Sequence, residues 1–116
     1  MNVLDLHRVA GEAKAANASR PATAIVHESA DARLIVFRLG PGQSVPPHRN
    51  ASTVTLTVVA GRGFASGDDG ERPIGPGTAV VYAPNETHGM RAADEELVLL
   101  ATIAPRPGDR QRAGGA

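Results

Sequence analysis

Short runs of β-branched and aliphatic residues, separated by turn residues, follow one another through most of the chain. The runs cover residues 23–29, 33–39, 53–60, 63–66, 78–83, 88–92 and 96–103. Gly, Pro and Asp punctuate the segments between them, for example at 40–42, 67–70 and 75–77. Runs of this length at this spacing are typical of an antiparallel sandwich or barrel. The pattern therefore predicts an all-β fold.

The two ends of the chain follow different patterns. Near the N-terminus, Val3, Leu6 and Val9 recur at a helical period in an Ala- and Glu-rich stretch, so we expect residues 1–22 to form a short helix or an irregular arm. The tail, 105–116, combines Pro, Gly, Arg and Ala without apolar periodicity, which predicts a flexible segment. One barrel domain is expected over 23–104.

Side-chain alternation around the run at 53–60 predicts a cavity. Successive side chains of a strand point to opposite faces, so one face carries the following set: His48, Asn50, Ser52, Val54, Leu56 and Val58. The other face is rich in threonine. The first set changes from polar to aliphatic along the strand, which places His48 and Asn50 at the wet end of an apolar pocket with Val54 and Leu56 deeper inside.

Composition excludes several classes of partner. The 12 Lys and Arg residues balance the 12 Asp and Glu residues, 12 − 12 = 0, so no net field attracts nucleic acid or an anionic membrane. Cysteine is absent, so a metal would need nitrogen and oxygen ligands. We expect no signal peptide and no membrane span, and we predict a soluble, cytoplasmic protein.

A second histidine, His88, follows the run at 78–83. Imidazoles from two separate strands can meet inside a small barrel, and neutral imidazole is a common ligand for transition metals. We therefore take His48 and His88, assisted by Asn50, as candidate ligands of a divalent ion such as Zn, Fe, Mn or Ni. Because two imidazoles and an amide oxygen form a sparse donor set, the alternative is a weak or absent ion.

Other residues near His88 are candidates for lining the same pocket. Met90 shares its parity and would fill space. Tyr82 could orient a polar ligand or pack structurally, and Glu86 could supply a carboxylate or remain a solvated loop charge. Arg38 and Arg91 could bind an anionic ligand or belong to a solvated sheet face.

The spacing from Gly42 through His48, Asn50 and Val54 to Gly61 resembles the first motif of the cupin superfamily. That motif usually carries His, His and Glu at the positions of His48, Asn50 and Val54. The segment from 77 to 88 is similar to the second cupin motif, with Asn85 at a usual glycine and Ala92 at a usual asparagine. Asn tolerates a left-handed backbone better than other non-glycine residues, so the turn before His88 can still form.

The resemblance implies a double-stranded β-helix, or jelly-roll barrel, with a pocket at one end and often a homodimer. It implies no particular reaction, because fold alone does not fix chemistry. Two hypotheses stay open. The chain is either a pocket protein that binds a small molecule, with or without a metal and catalysis, or a non-catalytic sensor or structural cupin with a degenerate, metal-free site. An aliphatic Val54 can neither ligate a cation nor act as a general base.

Overall fold

The computed structural model describes residues 1–108, which form one short helix and nine strands. Their bounds are α1 Leu6–Glu12, β1 Ala22–Glu28, β2 Arg33–Leu39, β3 Ser44–His48, β4 Thr53–Ala60, β5 Gly63–Gly67, β6 Gly70–Ile74, β7 Ala79–Tyr82, β8 His88–Ala92 and β9 Leu97–Ala104. The predicted all-β fold is confirmed, and the turn expected at 67–70 joins β5 to β6 through the Gly67 to Gly70 pair.

The strands form two antiparallel sheets that enclose a common core. The larger sheet has the order β1-β2-β9-β4-β7, and the smaller sheet has the order β3-β8-β5-β6. Leu39, Leu97 and Leu99 from the larger sheet are fully buried and cluster with Ala65 and Met90 from the smaller sheet. This arrangement is the jelly-roll barrel that the sequence predicts.

The alternation expected along β4 is confirmed by burial. Val54, Leu56 and Val58 are buried, whereas the threonines between them are half-buried. Apolar side chains on one face of a strand favour this placement because burying each removes apolar surface from water, about 25 cal/mol per Å². One face of β4 therefore forms part of the barrel interior.

Helix α1 packs on the outer face of the larger sheet. Asp5 caps its first turn by accepting a hydrogen bond from the Arg8 backbone N–H at 3.1 Å. Ala10 is buried against Val36 and Val98 in a second apolar cluster. The guanidinium of Arg38 donates to the carbonyls of Ala10 and Gly11, in the last turn of the helix, where carbonyls lack the usual i+4 partner. Arg38 therefore holds the helix on the sheet.

Strands β3 and β6 have no counterpart among the predicted runs. They are the two edge strands of the smaller sheet, and each contains proline, at Pro46 and Pro47 in β3 and at Pro73 in β6. Proline lacks the N–H that a central strand must donate, so it is confined largely to sheet edges. These prolines interrupt the β-branched pattern, so the sequence did not predict the two strands, and they are compatible with edge positions.

The start of the predicted tail lies against the barrel. The Ser52 hydroxyl donates to the Pro105 carbonyl at 2.6 Å, and Pro107 is buried. Residues 109–116 of the predicted flexible tail lie outside the described residues. Within 1–108, no helix has the length and apolar composition needed to cross a bilayer.

Candidate functional site

A cavity of about 160 Å³ lies between the two sheets. Its walls come from β2, β4 and β9 of the larger sheet and from β3 and β8 of the smaller sheet. The lining residues are Arg33, Ile35, Phe37, Val45, His48, Asn50, Val54, Leu56, His88, Met90, Ala101, Ile103 and Pro107. The structure therefore brings together His48, His88 and Asn50 around the same space, with the predicted pocket residues Val54, Leu56 and Met90.

The two histidines meet because β3 and β8 pair with His48 opposite His88. Their ring centroids are 4.1 Å apart, and the ring planes are inclined by 72°. The Nδ1 atom of His48 lies 3.1 Å from the Pro46 carbonyl oxygen. A carbonyl can only accept, so Nδ1 carries the proton in this bond. The neutral ring then keeps an acceptor lone pair at Nε2.

His88 is the more deeply buried of the two, with 5% of its surface exposed. Its Nε2 atom is buried and has no hydrogen-bond partner within residues 1–108. Burial, with a smaller contribution from the neighbouring His48, lowers the pKa of His88 to about 4. The imidazole is therefore neutral near pH 7, and it carries a polar atom that nothing on the described protein satisfies.

The turn between β7 and β8 is tied to the loop that carries Asn50. Asn85 has a positive φ of 66°, the left-handed conformation expected from the sequence, and its backbone N–H donates to the Asn50 carbonyl at 2.7 Å. The side-chain oxygen of Asn50 accepts from the Ser52 N–H at 3.0 Å. These bonds fix the rim of the cavity next to the histidines, and one of them uses one of the two lone pairs of the Asn50 amide oxygen.

Tyr82 and Glu86, two of the predicted pocket residues, do not line this cavity. They line a wider and more open groove of about 370 Å³ beside the β5–β6 hairpin. The Tyr82 hydroxyl donates to the Ser66 carbonyl at 2.8 Å, and burial followed by the charge of Glu86 raises the pKa of Tyr82. Glu86 accepts a hydrogen bond from the Ala83 N–H at 2.9 Å. The Tyr82 ring nevertheless lies next to the His88 ring, with the ring centroids 5.3 Å apart.

Sequence analysis missed the wall opposite the histidines. That wall includes Arg33, Ile35 and Phe37, alternate residues of β2, together with Ala101 and Ile103 of β9. Counting alternate residues along 33–39 groups Arg33, Ile35 and Phe37 on one face, but it does not say which face lies inside. Arg33 is the polar member of that series.

The donor set of the cavity does not fit a stably held divalent ion. No group of three or more His, Cys, Asp or Glu side chains suited to a metal occurs in the part of the chain that the structure describes. Protein sites for transition metals normally supply three or four donors. Here, two imidazoles are joined by an amide oxygen that already accepts a hydrogen bond, and Val54 lines the wall with methyl groups.

Comparisons with known proteins agree with this architecture. A family model described as "Cupin domain" matches residues 35–103. Among solved structures, the protein TT1209 from Thermus thermophilus is 26% identical with a TM-score of 0.81, and the match covers 92% of this chain and 100% of that chain. An RmlC-like cupin protein from Desulfovibrio desulfuricans is 29% identical with a TM-score of 0.79, over 91% of this chain and 98% of that one.

A predicted oxalate decarboxylase from Thermotoga maritima shares the fold at 22% identity, with a TM-score of 0.70 over 73% of this chain and 80% of that one. Among curated proteins, none matches the sequence. The family model covers more than half of the chain and includes the strands that carry both histidines.

Proposed function

This chain belongs to the cupin family, and we propose that it binds one small organic molecule in its barrel cavity without a tightly held metal ion. The observation that carries the proposal is an open cavity of about 160 Å³ that is reached by two imidazoles and is otherwise lined mainly by apolar side chains. Ligand sites in proteins commonly combine an apolar wall with a few polar groups that fix orientation.

The volume limits the size of the ligand. An engineered apolar cavity of about 150 Å³ holds benzene, so the barrel cavity suits a molecule with one small ring or a short branched chain. A structural cupin whose interior is filled by its own side chains was the alternative from sequence. The open space between Phe37, Val45 and Leu56 favours binding over that alternative.

The histidines supply the polar recognition. A buried polar atom without a hydrogen bond costs about 1–3 kcal/mol, and Nε2 of His88 is such an atom. A ligand hydroxyl or amide that reaches it recovers that cost, and the acceptor lone pair at Nε2 of His48 can accept a hydrogen bond from the same kind of group. Binding of a ligand with one polar end is therefore favoured over binding of a hydrocarbon.

Elemental analysis and thermal shifts together test the proposal. Freshly purified, untagged protein should carry far less than one divalent ion per chain. Small ring compounds with one polar group, such as benzyl alcohol and benzamide, should raise the unfolding midpoint because they bind the folded state only. His48→Ala should weaken this shift, whereas the same substitution at His27, an exposed residue of β1, serves as the matched control.

Two results would contradict the proposal. Stoichiometric metal that is lost in the His48→Ala, His88→Ala double variant would establish the metal site that the donor set argues against. The absence of any shift across such compounds would favour the structural alternative.

We also propose that the chain forms a homodimer. Ile25 and Val81, which are 56% and 66% exposed, lie on β1 and β7, the two edge strands of the larger sheet. An edge strand presents unpaired backbone N–H and C=O groups, and these two strands also present apolar side chains. Proteins tend to cover such edges.

A further inference from the structure

We propose that the molecule bound in the barrel cavity is a small organic carboxylate with an apolar body, and that Arg33 binds its carboxylate group. This inference rests on the proposed function, because it assigns a chemical class to the occupant of the same cavity. It follows from the position, the pairing and the surroundings of one guanidinium group.

Arg33 faces the barrel interior. It is the first residue of β2, and it pairs with Glu28 of β1 on one side and Ile103 of β9 on the other. With the period of two along the strand, its side chain shares a face with Ile35 and Phe37, and all three line the cavity. Only 14% of the Arg33 side chain is exposed, so its charge is held at the cavity wall and is not extended into solvent.

The guanidinium keeps donors available. Nε and Nη2 of Arg33 both donate to one oxygen, Oε1 of Glu28, at 3.3 and 2.6 Å. A guanidinium carries five N–H donors, so three remain after these two bonds, and the described residues provide no further hydrogen-bond acceptor for them. A planar carboxylate is the group that fits such a fork with two parallel hydrogen bonds.

The local charge favours a monoanion. Glu28 pairs with Arg33 and also lies 3.9 Å from Nε of Arg106, an exposed side chain that does not line the cavity. Within residues 1–108 the cavity lining contains no Asp or Glu, and Arg33 is its one Lys or Arg. A single positive charge beside an apolar wall matches one carboxylate, whereas a phosphate dianion would be left partly uncompensated.

The other strand arginines considered from the sequence have different roles. Arg38 caps helix α1 on the outer face of the sheet. Arg91 forms two hydrogen bonds of 2.9 Å with Glu71 and lies over the Phe64 ring at 4.0 Å. Neither lines the cavity, so the anion-binding role falls to Arg33.

Benzoate and benzamide provide the test, since they share a shape and differ in charge. Their dissociation constants are measured by calorimetry near pH 7 for the wild type and for Arg33→Gln, Arg33→Lys and Arg106→Gln. We expect benzoate to bind the wild type about 10-fold or more tightly than benzamide, because a hydrogen bond between charged groups is stronger than one between neutral groups. Arg33→Gln should abolish that preference, and Arg33→Lys should retain part of it.

Arg106→Gln is the matched control, because it removes the same charge near Glu28 from a side chain that does not line the cavity. It should preserve most of the preference. The comparison of benzoate with benzamide on the wild type needs no variant. If Arg33→Gln fails to fold, that comparison still tests whether the cavity prefers a carboxylate.

The outcomes separate this inference from the function on which it rests. Equal binding of benzoate and benzamide by wild type overturns the carboxylate assignment and leaves small-molecule binding in place. A benzoate preference that survives Arg33→Gln but is lost in Arg106→Gln also overturns the assignment to Arg33. If neither compound binds at millimolar concentration and neutral compounds give no thermal shift, both proposals fail together.

Discussion

Acidification is expected to destabilise this barrel through His88. The pKa of His88 in the folded protein is about 4, below the usual 6.5, because the ring is buried and lies next to His48. Between these two values, the unfolded chain binds a proton that the folded chain does not. Falling pH therefore favours unfolding, and the stabilising contribution present above pH 6.5 is lost as the pH falls toward 4.

The size of the effect follows from the difference between the two pKa values. That difference is 6.5 − 4 = 2.5, and at about 1.36 kcal/mol for each pKa unit it gives an upper value of about 3.4 kcal/mol. The cavity beside the ring opens to solvent at the rim, and water there screens part of this penalty. We expect a loss of about 2 kcal/mol between pH 7 and pH 4.

The measurement is urea unfolding of the wild type and His88→Gln at several pH values between 7.5 and 4. Taking the difference between the two free-energy curves removes the contribution of carboxylates, which both proteins share. The difference should shrink by about 2 kcal/mol on acidification, because glutamine has no proton to gain. An NMR titration of the imidazole signals of the folded wild type gives the pKa of His88 directly.

His27→Gln is the control, since His27 is exposed on β1. A wild-type minus His88→Gln difference that is constant with pH would refute the reasoning. So would a folded-state pKa for His88 near 6.5, because it would mean that water already hydrates the ring.

Four further predictions concern the site and the fold. The double variant Asn50→His, Val54→Glu supplies the missing imidazole and carboxylate, so elemental analysis should find about one divalent ion per chain; metal content equal to wild type would contradict this. Gly89→Ala places a methyl group 2.8 Å from the nearest side-chain atom, so it should lower the free energy of unfolding in urea by about 1–3 kcal/mol. Gly11→Ala is the control: its methyl group would have no neighbour within 4 Å, so it should not lower the free energy of unfolding. Arg38→Met removes the bonds to the helix carbonyls and should lower stability by about 1–2 kcal/mol; an unchanged urea midpoint would be inconsistent with a holding role. Light scattering should give twice the monomer mass at high concentration, and a monomer throughout would exclude the homodimer.

The strands that the sequence identified are runs of β-branched and aliphatic residues with few prolines. β2, β4 and β8 have the expected bounds, because β-branched and aliphatic runs in an antiparallel sheet end where Gly or Asp changes the chain direction. β3 and β6 were missed since Pro46, Pro47 and Pro73 argue against a strand unless its edge position is known. Edge position depends on the order of strands in the sheet, which a local pattern does not contain.

Parity predicted the site correctly within one strand, since Val54 and Leu56 share a face of β4 and both line the cavity. His48 was assigned to the same face by counting, but it lies on β3 of the other sheet, and it reaches the cavity because the two sheets face each other. The position of Tyr82 could not be predicted without the strand pairing, because it pairs with Val54 across β7 and β4 and its hydroxyl donates to the Ser66 carbonyl of β5. Its hydroxyl group therefore lies outside the cavity.

Arg33 was missed for a different reason. Between Arg33 and Arg38 both faces of β2 are apolar, with Ile35 and Phe37 on one and Leu34 and Val36 on the other. Val36 is apolar because helix α1 covers the outer face, so alternation could not identify the interior. A strand buried on both sides loses the polar alternation that distinguishes its faces.

The two walls of the cavity belong to different sheets. The imidazoles stand on the smaller sheet, while β2 and β9 of the larger sheet form the surface opposite them. Substitutions at Ile35 or Phe37 can therefore reshape the wall that the proposed ligand would contact without disturbing the backbone pairing between His48 and His88. Such independence gives evolution, or a protein engineer, a way to change ligand preference while keeping the polar anchor in place.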